Sequence, residues 1–191
     1  MDNHNLRMRL MLEAEKEIVE GLSEAERYRY FLGRMQLLKY ESGKENLISS
    51  DCSGSVCLAI LLATGCAIRV TADTLFKTYI TKKYPEKTDI QAAFFVTLYD
   101  RKLGNRLYKE NEVCHVAGVC GRDVVLNCVE PYSELRSLSD MKPFYQANDY
   151  RVIVRGLDRE ALQKASDDNV DLFGADYQFE QIRNAIDGAR G

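Results

Sequence analysis

The first forty residues contain two stretches whose apolar side chains recur at helical spacing. The first stretch covers residues 6–22. The second follows Ser23, which forms a capping-box pattern with Glu26, because each side chain can bond the other residue's backbone N–H. Its apolar residues return every three or four positions, so we predict a second amphipathic helix over residues 24–39.

A third helix is predicted from a run that is apolar on nearly all sides. Residues 56–63 consist of Val, Cys, Leu, Ala and Ile, which is typical of a helix that is buried on most of its surface. The helix should open around Cys52 and end at Gly65, since glycine tolerates the left-handed backbone that often closes a helix. A weaker helical pattern over residues 74–84 is closed by Pro85.

Strand patterns dominate the second half of the chain. Runs rich in β-branched and aromatic residues lie at 92–99, 113–119, 124–129 and 150–154. The segment Cys-Gly-Arg at 120–122 separates two of these runs and predicts a hairpin. Helices followed by such strands indicate an α+β fold, with N-terminal helices packed on a central antiparallel sheet, rather than alternating βαβ units.

The length of 191 residues and the hydrophobic fraction of 46% suit one domain with one sizeable core. We assign that domain to residues 24–156. Residues 1–23 are predicted to form an N-terminal helical extension. Residues 157–191 are predicted to form a C-terminal helical appendage, with short helical patterns at 158–166 and 177–185.

The charge balance excludes several kinds of partner. Lys and Arg total 26 against 29 Asp and Glu, a formal net charge of −3 without a dense basic patch, so nucleic acid is not an expected partner. No apolar run reaches the roughly 18–20 residues of a membrane span. The charged start does not resemble a secretory signal; the location stays open, and a cytoplasmic or phage-associated protein, released by lysis, is one expectation. The sequence does not indicate an oligomeric state.

The six cysteines include no Cys-x-x-Cys pair, and we expect free thiols. Five lie in apolar surroundings and are interpreted as small core residues. Cys52 differs, because it lies in the polar segment Asp-Cys-Ser-Gly at the start of the predicted buried helix. Unpaired N–H groups and the helix dipole stabilise a thiolate there. Gly54 is expected to leave room for a substrate backbone beside the sulfur.

His115 is the histidine expected to act with a thiol nucleophile, since His4 lies in the N-terminal stretch. An imidazole near the sulfur takes its proton and returns it to the leaving amine. Asn127, an amide within an apolar strand, would hold that imidazole in one orientation. If residues 120–122 form a three-residue loop, His115 and Asn127 lie directly opposite each other. A structural, partly buried histidine is the alternative.

These residues resemble the NlpC family of papain-like cysteine peptidases, which cut bacterial cell-wall peptides. The nucleophile box, Asp-Cys-Ser-Gly before an apolar helix, is DCSGSVCLAILLATG at 51–65. The histidine box is HVAGVCG at 115–121, with an extra Ala117, and Asn127 takes the place of the third polar residue. Further matches are Tyr40 and Gly43 upstream, Arg69 and Thr71 in GCAIRVT, and FFV at 94–96. A long polar insertion, DRKLGNRLYKENE, departs from the family pattern before the histidine box.

The resemblance implies a papain-like NlpC fold with the nucleophile at the start of a buried helix. It also implies a cysteine-type hydrolase that uses no cofactor and no metal. The substrate would be a peptidoglycan stem peptide or its fragments, cut between γ-D-glutamyl and a diamino acid. Cys52 would attack the carbonyl, His115 would carry the proton, and Asn127 would orient His115. The backbone N–H of Cys52 would help to bind the oxyanion.

The resemblance further implies where the substrate's free amino end binds. Tyr40 and Asp51 would contact the ammonium group, with Ser53 nearby, since a carboxylate opposite an ammonium makes a charge-assisted hydrogen bond. A plain helix cap is the alternative role for Asp51. Arg69 is a candidate for binding a substrate carboxylate.

Other functions stay open at the level of sequence. A non-catalytic structural or phage tail-assembly module could retain the fold, and the appendage at 157–191 suits that role. A thiol amidase or acyltransferase on another substrate is also compatible, because the Cys–His–polar set does not select the acyl group. A metal site at Cys114 and His115 is not expected, because neighbouring strand residues point to opposite faces.

Overall fold

The computed structural model of the chain describes residues 15, 18–45, 49–66 and 68–168. The predicted helical pattern at 6–22 lies largely outside these residues, and the pattern at 177–185 lies wholly outside them. The helices that follow a helical turn at 18–20 are α1 (Glu24–Arg34), α2 (Cys52–Thr64), α3 (Ala72–Thr74), α4 (Leu138–Ala147) and α5 (Arg159–Asp168), with a π-helical turn, Leu75–Tyr79, directly after α3. The strands are β1 (Lys39–Tyr40), β2 (Ser49–Ser50), β3 (Gln91–Thr97), β4 (Arg101–Leu103), β5 (Arg106–Tyr108), β6 (Val113–Val119), β7 (Val124–Cys128), β8 (Ser133–Ser137) and β9 (Tyr150–Gly156).

Five strands form a central sheet in the order β8-β7-β6-β3-β9, and every neighbouring pair is antiparallel. This mixture of helices and antiparallel sheet confirms the predicted α+β class. The pairs β1-β2 and β4-β5 form separate two-stranded ribbons. The sequence pattern assigned no element to the region of β8 and α4.

The sheet is covered on both faces. One face packs against α1 and α2 through side chains such as Phe94, Val116 and Leu126. The other face carries Phe95 and Val125 and lies under α4. Within the described ranges, every helix is too short or too polar to cross a bilayer.

Helix α1 ends at Arg34, earlier than the predicted end at residue 39. The buried hydroxyl group of Ser133 donates to the carbonyl of Met35 at 2.5 Å and accepts from the N–H of Leu38 at 2.9 Å. These bonds satisfy backbone groups at the helix end and turn the chain towards the sheet. Because Ser133 is far away in sequence, helical periodicity alone gives no signal for this stop.

Helix α2 matches its prediction, since it opens at Cys52 and stops at Gly65. Every residue from 53 to 64 is buried, as expected for a helix that is apolar on all sides. Gly65 has φ of 74°, the left-handed conformation that favours glycine.

The predicted helix over 74–84 is replaced by α3 and the π-helical turn, which begin at residue 72 and end at residue 79. The N–H of Ile80 closes this turn on the carbonyl of Leu75. Lys82 already pairs with Gly156 through two backbone hydrogen bonds of 2.9 and 3.0 Å. Extended pairing with the end of β9 therefore stops the helix before residue 84.

The turn between β6 and β7 lies one residue later than predicted. The N–H of Cys120 donates to the carbonyl of Val124 at 2.8 Å, so the loop is residues 121–123 rather than 120–122. This change moves the pairing of the two strands by two residues.

Asp123 explains the shift of the turn. Its carboxylate accepts bonds of 2.7 Å from the hydroxyl groups of Ser137 and Ser139, and its carbonyl accepts from the N–H of Leu138. Asp123 therefore holds the start of α4 instead of pairing within the hairpin.

Helix α5 packs against the main core. Leu162 is fully buried there, and Ala165 is nearly so. Arg159 makes a two-point ion pair with Glu24 at the start of α1, with N···O distances of 2.9 and 3.1 Å. The described part of the predicted appendage thus contributes side chains to the core of the domain.

Gly54 packs tightly against the segment that precedes α2. A Cβ atom at this position would clash with the carbonyl oxygen of Lys44 and lie 2.8 Å from the hydroxyl oxygen of Ser50. The space beside Gly54 is therefore filled by the protein's own backbone. The prediction that Gly54 makes room for a substrate backbone is wrong.

Gly54→Ala is expected to destabilise the fold by about 1–3 kcal/mol, the usual cost of an added methyl group in a packed interior. Gly33→Ala is the matched control, because Gly33 also lies in a helix but a Cβ atom there would have no neighbour within 4 Å. This control should gain about 0.5–1 kcal/mol, since alanine suits a helix better. Urea unfolding measures both free energies, and equal values would contradict the packing described for Gly54.

Candidate active site

Cys52 is the first residue of α2, and Asp51 is the residue that caps this helix. One carboxylate oxygen of Asp51 accepts from the backbone N–H of Gly54 at 2.6 Å and from the hydroxyl group of Ser53 at 3.0 Å. The cap satisfies a backbone donor that has no partner within the helix. It also fixes the direction from which the chain enters α2, and therefore the position of Cys52.

The sulfur of Cys52 is partly buried between α2 and β6. Burial, followed by the negative charge of Asp51, raises the pKa of Cys52 to about 11. The backbone N–H groups of Val116 and Ser53 bond the sulfur and act in the opposite direction, as does the charge of Arg69. At neutral pH the resting thiol therefore keeps its proton.

His115 and Asn127 are joined by a hydrogen bond of 2.8 Å between Nε2 and Oδ1. Because an amide oxygen only accepts, Nε2 carries the proton and Nδ1 is left as the basic nitrogen. Gly118 pairs with Leu126, so Asn127 lies diagonal to His115 and not directly opposite, as the predicted turn required. Both residues still share one face of the sheet, and their side chains span the offset.

The pairing of β6 and β7 leaves a gap at the candidate site. The two strands pair only through Gly118 and Val119 of β6. The edge of β6 at His115 and Val116 lies outside that ladder, and there the N–H of Val116 bonds the sulfur of Cys52. The structure thus brings the sulfur to the residue that follows His115.

His115 is held in its neutral form. Burial lowers the pKa of its imidazole, and the hydrogen bond to Asn127 offsets part of this change. The ring also lies against Phe95, with centroids 5.1 Å apart. These surroundings favour a neutral imidazole at His115 and a neutral thiol at Cys52 in the resting protein.

A β-bulge at Cys114 precedes His115. Phe95 pairs with His115 and Val96 pairs with Val113, so Cys114 has no partner on β3. Its thiol donates to the carbonyl of Phe95 at 3.3 Å.

The bulge corrects one expectation. Regular alternation of Cys114 and His115 across the strand does not hold, since a bulge redirects side chains. Cys114 packs against the core beneath α4, as expected, and in addition lines the same cavity as Cys52. Among the residues that the structure describes, no cluster of three or more metal-ligating side chains is present.

Arg69 lies in a network of charges behind Cys52. Its Nη2 atom is 2.8 Å from a carboxylate oxygen of Asp51, and its Nε atom is 3.1 Å from Glu45. A further N–H group donates to the hydroxyl group of Ser53 at 3.1 Å. Burial lowers the pKa of Arg69, but the two carboxylates outweigh it and raise that pKa. This arrangement favours a structural role for Arg69 over a substrate carboxylate.

Asp51 also holds the segment that leads to Tyr40. Its second oxygen accepts from the backbone N–H of Gly43 at 2.7 Å and from Arg69. Four donors therefore meet this carboxylate, as expected of a helix cap. Tyr40 lies alongside Ser50 in the β1-β2 ribbon, and burial together with the charges of Cys52 and Asp51 raises its pKa to about 12.

A cavity of about 400 Å³ opens beside Cys52. The predicted binding residues Tyr40, Asp51, Ser53 and Arg69 line it, whereas His115 and Asn127 do not. The wall also includes Cys114 and two residues for which the sequence predicts no role in binding, Arg106 and Tyr108.

Arg106 and Tyr108 belong to the β4-β5 hairpin, which the sequence analysis treated as a long polar insertion. The dipeptide Gly-Asn at 104–105 between alternating residues is a recognisable hairpin signal. That signal predicts the hairpin, but it does not show that the hairpin reaches the cavity.

Comparison with known proteins supports the fold. No protein-family model and no curated protein sequence matches this chain. NlpC1 from Trichomonas vaginalis is similar with a TM-score of 0.50 and 18% identity, over 71% of this chain and 44% of that chain. NlpC2 from the same organism has a TM-score of 0.51 and 17% identity, over 73% of this chain and 48% of that chain. The chain thus spans about half the length of these structures, and its fold is NlpC-like.

Arg69→Gln is expected to cost about 3 kcal/mol of stability, because it leaves the buried carboxylates of Asp51 and Glu45 without their cation. The side chain of Arg69 is only 23% exposed, so water screens this pairing little. Arg106→Gln is the matched control, since its pair with Glu112 involves a side chain that is 51% exposed and should contribute under about 1 kcal/mol. Urea unfolding compares the two variants, and equal losses would contradict the buried network.

Proposed function

We propose that this protein is a cysteine peptidase that hydrolyses amide bonds in peptidoglycan stem peptides, between a γ-D-glutamyl residue and a diamino acid. The observation that supports the proposal is the 2.8 Å hydrogen bond between His115 Nε2 and Asn127 Oδ1, together with a cysteine at the start of a buried helix. An amide that fixes one ring nitrogen leaves the other free to act on the sulfur. The substrate class rests on the resemblance of the two sequence boxes and on the NlpC-like fold.

In the first step, the sulfur of Cys52 attacks the amide carbonyl carbon while its proton passes to Nδ1 of His115. The carbonyl oxygen becomes an oxyanion, which the backbone N–H of Cys52 stabilises at the positive end of α2. The imidazolium keeps its Nε2 proton on the oxygen of Asn127, so the ring does not rotate during the transfer.

In the second step, the carbon–nitrogen bond breaks and His115 gives its proton to the leaving amine. The γ-D-glutamyl group stays on Cys52 as a thioester. Water then attacks this thioester with His115 as the base, and the carboxylic acid and the free thiol are regenerated. Each proton taken by the imidazole is returned, so the site ends as it began.

The electrostatics favour a concerted first step. Burial disfavours a free thiolate at Cys52 and a free imidazolium at His115. A direct transfer of the proton to His115 creates both charges together, and each then stabilises the other. The imidazole therefore acts as a general base towards a neutral thiol.

We place the free amino end of the substrate between Tyr40 and Asp51. The cluster of Asp51, Glu45 and Arg69 holds two carboxylates and one guanidinium, a formal charge of −1 at this wall. That charge attracts an ammonium group even though the oxygens of Asp51 already accept several bonds. Ser53 lies within the same cluster.

Cys52→Ala should abolish release of the diamino acid from the tripeptide L-alanyl-γ-D-glutamyl-diaminopimelate, with a loss of at least about 1,000-fold, because no other group replaces the nucleophile. Chromatography of the released amine measures the rate. Cys120→Ala is the control, since Cys120 is also partly exposed but lies outside the cavity, and its activity should match that of the unsubstituted protein.

Retained cleavage by the Cys52→Ala variant would rule out the proposed peptidase. Alkylation of the thiols tests the non-catalytic alternative on the same protein. If the unsubstituted protein cleaves nothing and Cys52 is alkylated no faster than Cys120, the fold serves as a structural module.

Asn127→Ala should lower kcat/KM by about 100-fold, because the imidazole is no longer held in position. The acid limb of the pH profile should also move to lower pH. The bond to Asn127 raises the pKa of His115, so its loss lowers that pKa and keeps the basic form to lower pH. Rates at a series of pH values give both results.

Asn127→His provides the matched variant, because a second imidazole can also bond Nε2 of His115. It should recover part of the rate that Asn127→Ala loses. An unchanged acid limb in the alanine variant would show that Asn127 does not act through His115.

A further inference from the structure

The β4-β5 hairpin presents one of its two faces to the cavity beside Cys52. Arg101 pairs with Tyr108 and Leu103 pairs with Arg106, so these side chains share a face. Lys102 pairs with Leu107 on the opposite face. Arg106 and Tyr108 line the cavity, and therefore the first of these faces is the one turned towards the site.

The guanidinium of Arg106 is fixed in orientation, but some of its N–H groups are still available to a ligand. Nη2 bonds the carboxylate of Glu112, and the guanidinium carbon lies 4.5 Å from the centroid of the Tyr108 ring. Glu112 is itself held by the backbone N–H of Lys109 at 2.9 Å. Nε and Nη1 of Arg106 have no acceptor within the described part of the chain, and the side chain is 51% exposed.

Arg106 is the cationic group of this wall that is open to a ligand. The other arginine of the cavity, Arg69, already bridges Asp51 and Glu45. A planar guanidinium supported from behind and stacked on an aromatic ring suits a carboxylate, because its N–H groups match the two oxygens.

A γ-linked glutamyl residue carries a free carboxylate that could bind to Arg106. Its peptide bond uses the side-chain carboxyl group, so the α-carboxylate stays free within one side-chain length of the scissile amide. An α-linked glutamyl residue carries its side-chain carboxylate at the same number of bonds from the scissile carbonyl, whereas amidation of the α-carboxyl group of the γ-linked form removes the charge. A cation in the cavity wall thus distinguishes the free from the amidated γ-linked residue by charge and by hydrogen bonding.

We propose that Arg106 binds the free α-carboxylate of the γ-glutamyl residue and selects substrates in which this group is not amidated. The inference rests on the proposed peptidase function and names a specificity-determining residue for it. Tyr108 supports the guanidinium, and Glu112 sets its direction. The inserted hairpin therefore binds the substrate on the acyl side of the scissile bond.

Two tripeptides test this proposal: L-alanyl-γ-D-glutamyl-diaminopimelate and the same peptide with the α-carboxyl group amidated. The unsubstituted protein should cleave the first at least about 10-fold better in kcat/KM. Arg106→Gln should lose about 10- to 100-fold on the first peptide, the range expected for one charge-assisted contact, and remain unchanged on the amidated peptide. Lys102→Gln, on the other face of the hairpin, should behave as the unsubstituted protein does.

Equal losses on both peptides in Arg106→Gln, or no preference in the unsubstituted protein, would overturn the proposal. Calorimetric binding to the Cys52→Ala protein, with and without Arg106→Gln, separates recognition from catalysis. Carboxylate-dependent binding without any cleavage by the unsubstituted protein would uphold the role of Arg106 and reject the peptidase. Absence of both binding and cleavage would reject both proposals.

Discussion

The carboxylate of Asp51 connects the parts of the site to one another. One oxygen caps α2, and the other joins the backbone of Gly43 to Arg69. Since Cys52 is the next residue, the position of its sulfur depends on this carboxylate. The same negative charge raises the pKa of the thiol. Asp51 thus fixes the position of the Cys52 sulfur, but it also disfavours ionisation of that thiol.

The ionisation of Cys52 therefore depends on the surroundings of the sulfur as much as on its place at the helix start. The helix dipole alone would favour an ionised sulfur, but burial and Asp51 outweigh it here. The backbone N–H of Val116, at the unpaired edge of β6, partly compensates. Under the proposed function, a base that takes the proton directly would avoid a free thiolate, and the bond between His115 and Asn127 would leave Nδ1 as the basic nitrogen for this transfer.

The sequence predicts the features that depend on local pattern, and misses those that depend on distant contacts. Helix α2 and strand β6 follow from continuous apolar runs, and their bounds agree with the structure. The turn after β6 lies one residue later than the apolar pattern predicts, because Asp123 bonds side chains at the start of α4. The bulge at Cys114 likewise has no local sequence signal, although it changes which thiol reaches the cavity.

The hairpin of β4 and β5 is attached to the domain without being part of its interior. None of residues 98–112 is buried, so its side chains add little to the free energy of folding. Substitutions, or even a change of length, are therefore tolerated there far better than in β6 or α2. Evolution can therefore exchange this loop to give the cavity a different wall, while the elements that position Cys52, His115 and Asn127 stay unchanged.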